Sequence, residues 1–239
     1  MISLATCRSL RSTACCTLLL LLLLLLVTAC TSHEHQAYNP LQQPYTMPAA
    51  YGQSYYAYQA DIPEPEFYDL PFQQVPGYHL SGLRFPSSEN NGQPGNLVDA
   101  RYFRSTRSGR KPLLIVLPIW ATHTFPAMVI SNGYTQHSNG EANVLWLQGD
   151  GALFDWFELA KIDNETDFNQ EVEQAAERFR AVAIDTRRLI DWAETQPEID
   201  SSRIAIIGFS MSAIVGANVA GTDSRINTAV YVLGGAKPW

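Results

Sequence analysis

The sequence predicts an α/β domain: a doubly wound, mostly parallel sheet with helices on both faces, entered through an antiparallel hairpin. Three observations carry this. The runs at 113–117, 143–147 and 203–208 are short and apolar without polar alternation, as in strands buried on both faces. One long stretch with an apolar residue every three or four positions lies between the second and third of them. Strand, helix and strand in alternation require crossover connections, which set neighbouring strands parallel.

In chain order, residues 78–85 and 97–105 are rich in β-type residues. They flank the turn-forming run Ser87-Ser88-Glu89-Asn90-Asn91-Gly92-Gln93-Pro94-Gly95, the pattern of a hairpin. Residues 113–117 are the first buried strand. Pro126 suits the first position of a short helix, where its missing N–H costs nothing. Residues 143–147 give the second buried strand. Over 167–195, Val172, Ala176, Phe179, Val182, Ala183, Thr186, Leu189, Ile190 and Ala193 recur at helical spacing. That leaves Glu173, Glu177, Arg180, Arg187 and Asp191 to face water, and Pro197 ends the helix. Residues 203–208 are the third buried strand and 226–233 the fourth; no internal repeat is present.

The amino end is of another kind. Arg8 and Arg11, with no acidic neighbour, precede nine leucines at 18–26, and Val27-Thr28-Ala29-Cys30 follows. A positive start, an apolar core and small residues before a cleavage point are the layout of a secretory signal. The apolar run falls short of the roughly 20 residues that span a bilayer as a helix. Its last four residues resemble a bacterial lipobox, which implies a signal peptide over 1–29 and an acylated Cys30 as membrane anchor. In lipoproteins Thr31 rather than Asp after the cysteine implies sorting to the outer membrane, so the expected location is the bacterial cell envelope.

The 239 residues are 46% hydrophobic and 16% charged, with 16 Lys and Arg against 23 Asp and Glu. That balance supplies no basic surface for tracking phosphates and excludes nucleic acid as the expected partner. Cleavage after Ala29 removes two basic residues and no acidic one, so anchoring falls to the lipid chains rather than to headgroup attraction. The four cysteines are Cys7, Cys15, Cys16 and Cys30, which leaves the rest of the chain without a disulfide framework or a cysteine zinc site.

Residues 30–61 read as the lipidated Cys30 and a flexible tether: Pro40, Pro44 and Pro48, six tyrosines and many glutamines, with no apolar periodicity. His33 and His35 flank Glu34 there, a pattern that without a pre-organised ligand set is solvated rather than metal-bound. The folded domain is then 62–239.

Chemistry gathers after the third buried strand. In Arg203-Ile204-Ala205-Ile206-Ile207-Gly208-Phe209-Ser210-Met211-Ser212-Ala213, a strand runs straight into Ser210 and on into the small-residue helix at 214–220. This is the strand, sharp turn and helix of a nucleophile elbow. The bland alternative is a serine that caps a helix. An elbow needs small residues two before and two after the serine, so that strand and helix can pass. Gly208 meets the need. Ser212 stands where G-x-S-x-G has its second glycine, with Ala213 and Gly216 to make room for its hydroxymethyl. The Met211 N–H, at the helix amino end, points at a developing oxyanion with the helix dipole behind it.

These residues resemble the α/β-hydrolase fold family, and within it the dienelactone hydrolase-like and serine esterase group. The resemblance takes in Asp185-Thr186-Arg187-Arg188-Leu189-Ile190-Asp191-Trp192, Gln196-Pro197-Glu198-Ile199-Asp200 and the elbow, and covers about residues 95–235. It implies Ser210 as nucleophile and a small-molecule ester, thioester or amide substrate cleaved through an acyl-serine, with no metal and no cofactor. It also implies two oxyanion donors, Met211 and a residue of the loop at 117–123, Trp120 or Ile119. The HGGG-type glycines of that loop are absent. His123 in the same loop is a candidate base or a wall residue, and His137 a solvated one. Trp146, Trp156 and Phe157, with Asp150 and Asp155, stand at or after the end of the second buried strand, where pocket walls and packing aromatics both occur.

In this family's chain order an acid and a histidine follow the serine. After Ser210 come no histidine and one acid, Asp223, placed to orient a turn. The expectation is therefore an incomplete domain without its last strands, acid and base: a fragment of a membrane-anchored serine hydrolase, inactive alone. The alternative is a non-catalytic α/β-hydrolase-like binding lipoprotein of the envelope. A third reading takes His123, or a partner chain's histidine, as base. Protein partners are not legible.

Overall fold

The structure is a computed structural model that describes residues 54–59, 62–70, 74–120, 124–154 and 156–234, without the side chains of Trp156 and Glu158. The signal, Cys30 and most of the tether lie outside the described residues, as do His123 and Asp155. Among the described residues no helix is long and apolar enough to cross a membrane.

The chain builds β1 (Glu66–Tyr68), β2 (Tyr78–Pro86), β3 (Leu97–Ser105), β4 (Lys111–Val116), α1 (Ala127–Ser138), β5 (Asn143–Leu147), α2 (Trp156–Leu159), α3 (Glu165–Glu194), β6 (Ile199–Phe209), α4 (Met211–Thr222) and β7 (Ile226–Val232). Seven strands form one sheet in the order β1-β2-β3-β5-β4-β6-β7. β5, β4, β6 and β7 run parallel. β2 and β3 are the expected hairpin, paired from Tyr78 with Ser105 to Pro86 with Leu97, and β3 continues antiparallel onto β5.

Burial alternates along the central strands and divides the core in two. Leu113, Ile115, Leu117, Ile204 and Ile206 point to one face, packed under α3 and α4 through Val182, Leu189, Ile190, Val215 and Val219. Val116, Val144 and Trp146 point to the other, where Ala127 and Ile130 of α1 cover them. Helices therefore lie on both faces, as the continuous apolar runs require.

The elements differ from the sequence expectation at several points, among them α2, which no periodicity announced, and β4, which begins at Lys111. β1 is a three-residue strand added antiparallel to β2. β6 starts at Ile199, four residues earlier than its apolar run. Pro126 is the N-cap of α1 rather than its first residue.

α3 is the long helix expected, opened by Asn164, whose side chain accepts from the Asp167 N–H at 2.9 Å. Its apolar stripe has two fates. From Ala181 onward it is buried in the core, whereas Val172 is 41% exposed and Ala176 is exposed. Three residues expected to face water do not: Arg180 donates to the Tyr55 carbonyl and to Glu89, and Asp191 and Arg187 are likewise engaged. Asp191 accepts from Arg225 Nη1 at 2.7 Å and from the Tyr58 hydroxyl at 2.8 Å, and Arg187 Nη1 donates to the Tyr56 carbonyl at 2.7 Å. Residues 54–59, inside the segment read as tether, are held to α3 by these bonds and by Arg187 stacked 4.7 Å from the Tyr58 ring. Burial, then the hydrogen bond to Asp191, pushes the Tyr58 phenol up to about 12.

The turn-forming run between β2 and β3 is fastened to α3 through Asp185. This carboxylate is 2% exposed and accepts from Ser87 Oγ at 2.8 Å and Asn91 Nδ2 at 2.9 Å. Burial pushes it up to about 6, against those two hydrogen bonds and the Arg188 charge, which lower it. A folded-state value above the unfolded one means the folded protein holds this proton more tightly. The stabilisation is complete below the unfolded value and is lost as the pH rises through about 6. Raising the pH from about 4.5 to about 7.5 should therefore cost the wild type about 2 kcal/mol relative to Asp185→Asn. Urea unfolding of both proteins at the two pH values measures this difference.

Candidate active site

Ser210 lies at the carboxyl end of β6, in the middle of the parallel part of the sheet, where open α/β sheets bind ligands. Its backbone has φ 49° and ψ −116°, a conformation that non-glycine residues hold at a cost of about 1–3 kcal/mol. The neighbours impose it. A Cβ on Gly208 would stand 2.3 Å from the Ser212 carbonyl oxygen and 2.6 Å from its carbon, so strand and helix pass at a distance that only glycine permits. The Ser210 N–H donates to the Val232 carbonyl at 2.8 Å, and its own carbonyl accepts from the Ala213 N–H at 3.0 Å.

Ser212 tightens this turn rather than crowding it. Its side chain is fully buried, and Oγ accepts from the Phe209 N–H at 2.6 Å while donating to the Phe209 carbonyl at 2.9 Å. The room does not come from Gly216, whose added Cβ would meet only ordinary contacts at 3.5 Å. The hydroxymethyl fits because it bridges the two ends of the elbow.

Ser210 is exposed, and among the described residues its Oγ makes no hydrogen bond. Met211 begins α4, so its N–H belongs to the first turn, which has no partner within the helix. The two line one cavity of about 460 Å³. α3 contributes Val172, Ala175, Ala176 and Phe179, α4 contributes Ile214, and Phe154, Leu233 and Gly234 close the rest. No titratable side chain is among these residues.

The other side chains singled out by sequence stand elsewhere. Trp120 has a left-handed backbone, φ 49°, and its side chain is buried in the core against Gly149 rather than in the Ser210 cavity. Trp146 is a core residue under the Arg101 guanidinium, and Phe157 and Asp150 are exposed outside the cavity. His137 is exposed in the last turn of α1. Asp223 is buried and bound to Arg225 at 2.8 and 2.6 Å. Its burial raises its pKa, but the Arg225 hydrogen bonds and the Arg187 charge outweigh that and hold it below the ordinary carboxylate value. Among the described residues no group of acidic and histidine side chains could hold a metal ion. Phe154, Phe179 and Leu233, which shape the cavity, escaped sequence reasoning; for Phe179 the signal was present as the α3 stripe.

Residues 123–238 match a family model described as phospholipase/carboxylesterase. No curated protein matches the chain. Among solved structures, acetyl xylan esterase 1 from a Thermoanaerobacterium species is similar with a TM-score of 0.51 at 17% identity, over 72% of this chain and 54% of that one. A cold-adapted esterase from an Arctic intertidal metagenomic library is similar with a TM-score of 0.49 at 16% identity, over 70% of this chain and 66% of that one. The fold is the α/β-hydrolase fold, and the chain spans about half the length of the acetyl xylan esterase.

The elbow's two small residues should differ in what they tolerate. Gly208→Ala drives a Cβ into backbone and should cost about 3 kcal/mol or more. Ser212→Ala removes the acceptor of a buried N–H and should cost about 1–2 kcal/mol. Urea denaturation of both variants, followed by circular dichroism, checks the order and the sizes.

Proposed function

We propose that this chain carries the nucleophile and oxyanion side of a serine hydrolase that cleaves a carboxylic ester, thioester or amide through an acyl-serine intermediate. The observation that carries the reading is the strained, exposed Ser210 between buried β6 and the amino end of α4. The phospholipase/carboxylesterase match over 123–238 supports it. In this mechanism Ser210 Oγ attacks the carbonyl carbon and its proton passes to a base. The carbonyl oxygen becomes an oxyanion facing the Met211 N–H, with the Trp120 or Ile119 N–H as second donor, and the dipole of α4 favours that charge. The C–O, C–S or C–N bond then breaks, the leaving group takes the proton, and water releases the acyl group from Ser210.

The described residues put no base in the cavity, since its lining holds no histidine and no carboxylate. Attack by Ser210 therefore calls for a proton acceptor other than those lining residues, either His123 or a partner chain's histidine. A fluorophosphonate probe should label Ser210 weakly, and added imidazole should accelerate labelling in the wild type but not in Ser210→Ala. Strong labelling that His123→Ala abolishes would assign the base to His123. Folded protein that stays unlabelled with and without imidazole would overturn the reading.

We propose as well that Cys30 is acylated and holds the chain on a membrane of the bacterial cell envelope, on the strength of the order of basic start, leucine run and Val27-Thr28-Ala29-Cys30. Cys30→Ala should move the protein from the detergent-extractable membrane fraction to the soluble fraction. A chain that stays membrane-bound without Cys30 contradicts this anchor.

A further inference from the structure

We infer that Gln93 is a positioning residue for the candidate active site. From the turn between β2 and β3 its side-chain amide fixes residues 148–151, and these hold Trp120 in the backbone conformation that presents the second oxyanion donor. This rests on the serine-hydrolase reading of Ser210 and takes Trp120 as the donor of the two candidates in its loop. Like Ser210, Trp120 holds φ 49° without being a glycine. Such a backbone persists only where the surroundings over-determine it. The two strained residues follow neighbouring parallel strands, since β4 pairs with β6 and the Leu117 N–H donates to the Ile207 carbonyl at 2.9 Å. For Ser210 the cause is Gly208; for Trp120 it lies in the loop after β5.

That loop makes two close approaches through glycines. A Cβ on Gly149 would stand 2.8 Å from Pro118 Cγ and 3.0 Å from Trp120 Cδ1, so Pro118 and the indole lie directly against its backbone. A Cβ on Gly151 would stand 2.4 Å from the Gly92 carbonyl oxygen, so the same loop also abuts the turn between β2 and β3. Gln93 locks this second contact. Its Oε1 accepts from the Gly151 N–H at 2.9 Å and its Nε2 donates to the Gly151 carbonyl at 3.0 Å. The amide thus exchanges both bonds with one backbone residue, as a paired residue of a neighbouring strand does. The turn is itself fastened: the Gln93 N–H donates to Asn91 Oδ1 at 2.9 Å, and Asn91 Nδ2 donates to the buried Asp185 of α3 at 2.9 Å. Gln93 and Trp120 also line one narrow cavity with Val98, Leu147 and Val182, so the clamp and the indole share a packed space. Contacts therefore run without a break from α3 through Asn91, Gln93, Gly151 and Gly149 to Trp120. Gln93 is outside the Ser210 cavity. What it supplies is preorganisation, because a donor already in place when the oxyanion forms costs no rearrangement at that moment.

The test combines two measurements on the full chain: the fluorine spectrum of protein containing 5-fluorotryptophan, with the Trp120 resonance assigned by Trp120→Phe, and the imidazole-assisted rate at which a fluorophosphonate labels Ser210. Gln93→Met keeps the volume of the side chain and loses both bonds to Gly151. It should move the Trp120 resonance and leave that of Trp192, packed on Tyr102, in place. The labelling rate at saturating probe should fall about tenfold or more, with the half-saturating probe concentration within about threefold of wild type, as for an interaction made only in the transition state. Gly149→Ala pushes on Pro118 and Trp120 from the loop itself and should give the same two changes with the turn intact. Tyr58→Phe, which removes a hydrogen bond to Asp191 away from this loop, should lower stability to urea with rate and resonance unchanged, which separates positioning from mere loss of stability. A labelled wild type whose rate survives in both Gln93→Met and Gly149→Ala, or whose Trp120 resonance stays put in both, overturns the role of Gln93 and leaves the hydrolase reading standing. Ser210 that stays unlabelled in the folded wild type overturns the hydrolase reading, and Trp120 as a donor with it, whatever the resonance does.

Discussion

The rest of the site depends on how closely Gly208 passes the first turn of α4. With the Ser212 carbonyl 2.3 Å from where a Cβ would stand, the chain must reverse within one residue, and Ser210 absorbs the whole change of direction. Its backbone strain, about 1–3 kcal/mol, is sustained by the elements on either side. β6 is locked between β4 and β7, and Val215 and Val219 of α4 are fully buried in the same core as Ile204 and Ile206. The Val232 carbonyl holds the Ser210 N–H, and the Ser212 hydroxyl bridges the Phe209 N–H and carbonyl. Relaxing Ser210 would mean moving a central strand or the helix behind it. The hydroxyl stays raised toward the cavity because nothing around it can yield cheaply.

The same sheet face shows how one helix serves two purposes. The carboxyl half of α3 is mostly buried and carries Asp185, Leu189 and Ile190 into the core. Its amino half keeps the periodicity but stands off the sheet, so Val172, Ala176 and Phe179 wall a cavity. Opposite charges hold the buried half in place. Arg225 binds Asp223, Asp191 and Glu194 together and so ties the turn before β7 to α3, while Tyr58 adds residues 54–59 to the same cluster. Removing one member of a partly buried cluster leaves the others short of a partner, which is the larger share of what such a network contributes.

Much of this was legible in the sequence, and the rest was hidden for stateable reasons. The hairpin, the buried runs and α3 follow from periodicity alone, because a strand covered on both faces has no polar residue to alternate. The elbow follows from Gly208 and Ser210 at the end of such a strand. β1 was invisible: three residues with an exposed pattern leave no period to detect. Arg180, Arg187 and Asp191 were assigned to water because helical spacing says which residues share a face and nothing about what covers that face. Ser212 looked like an obstacle because side-chain volume was weighed without its hydrogen-bonding capacity. Phe154 and Leu233 join the cavity from loops far apart in sequence, and only the tertiary fold brings them together.

Among the described residues no base lines the Ser210 cavity, and the apolar lining gives this a physical consequence. An apolar lining raises the cost of forming an alkoxide at Ser210, so proton removal has to be concerted with attack and cannot precede it. A neutral imidazole that accepts the proton becomes a cation beside the same apolar surface, and that cation needs a carboxylate of its own. Asp223 cannot be that carboxylate. It is buried away from the cavity, and its oxygens are engaged by Arg225 and faced by Arg187, which leaves no charge to share. Asp185 fails on other grounds, since burial favours its protonated form and its oxygens already accept from Ser87 and Asn91. Neither of these two buried carboxylates can therefore serve as the counter-charge of a base at Ser210. Supplying imidazole alone restores the proton acceptor but not the counter-charge, so rescue of Ser210 by a free base recovers only part of what a histidine and carboxylate held in place would give.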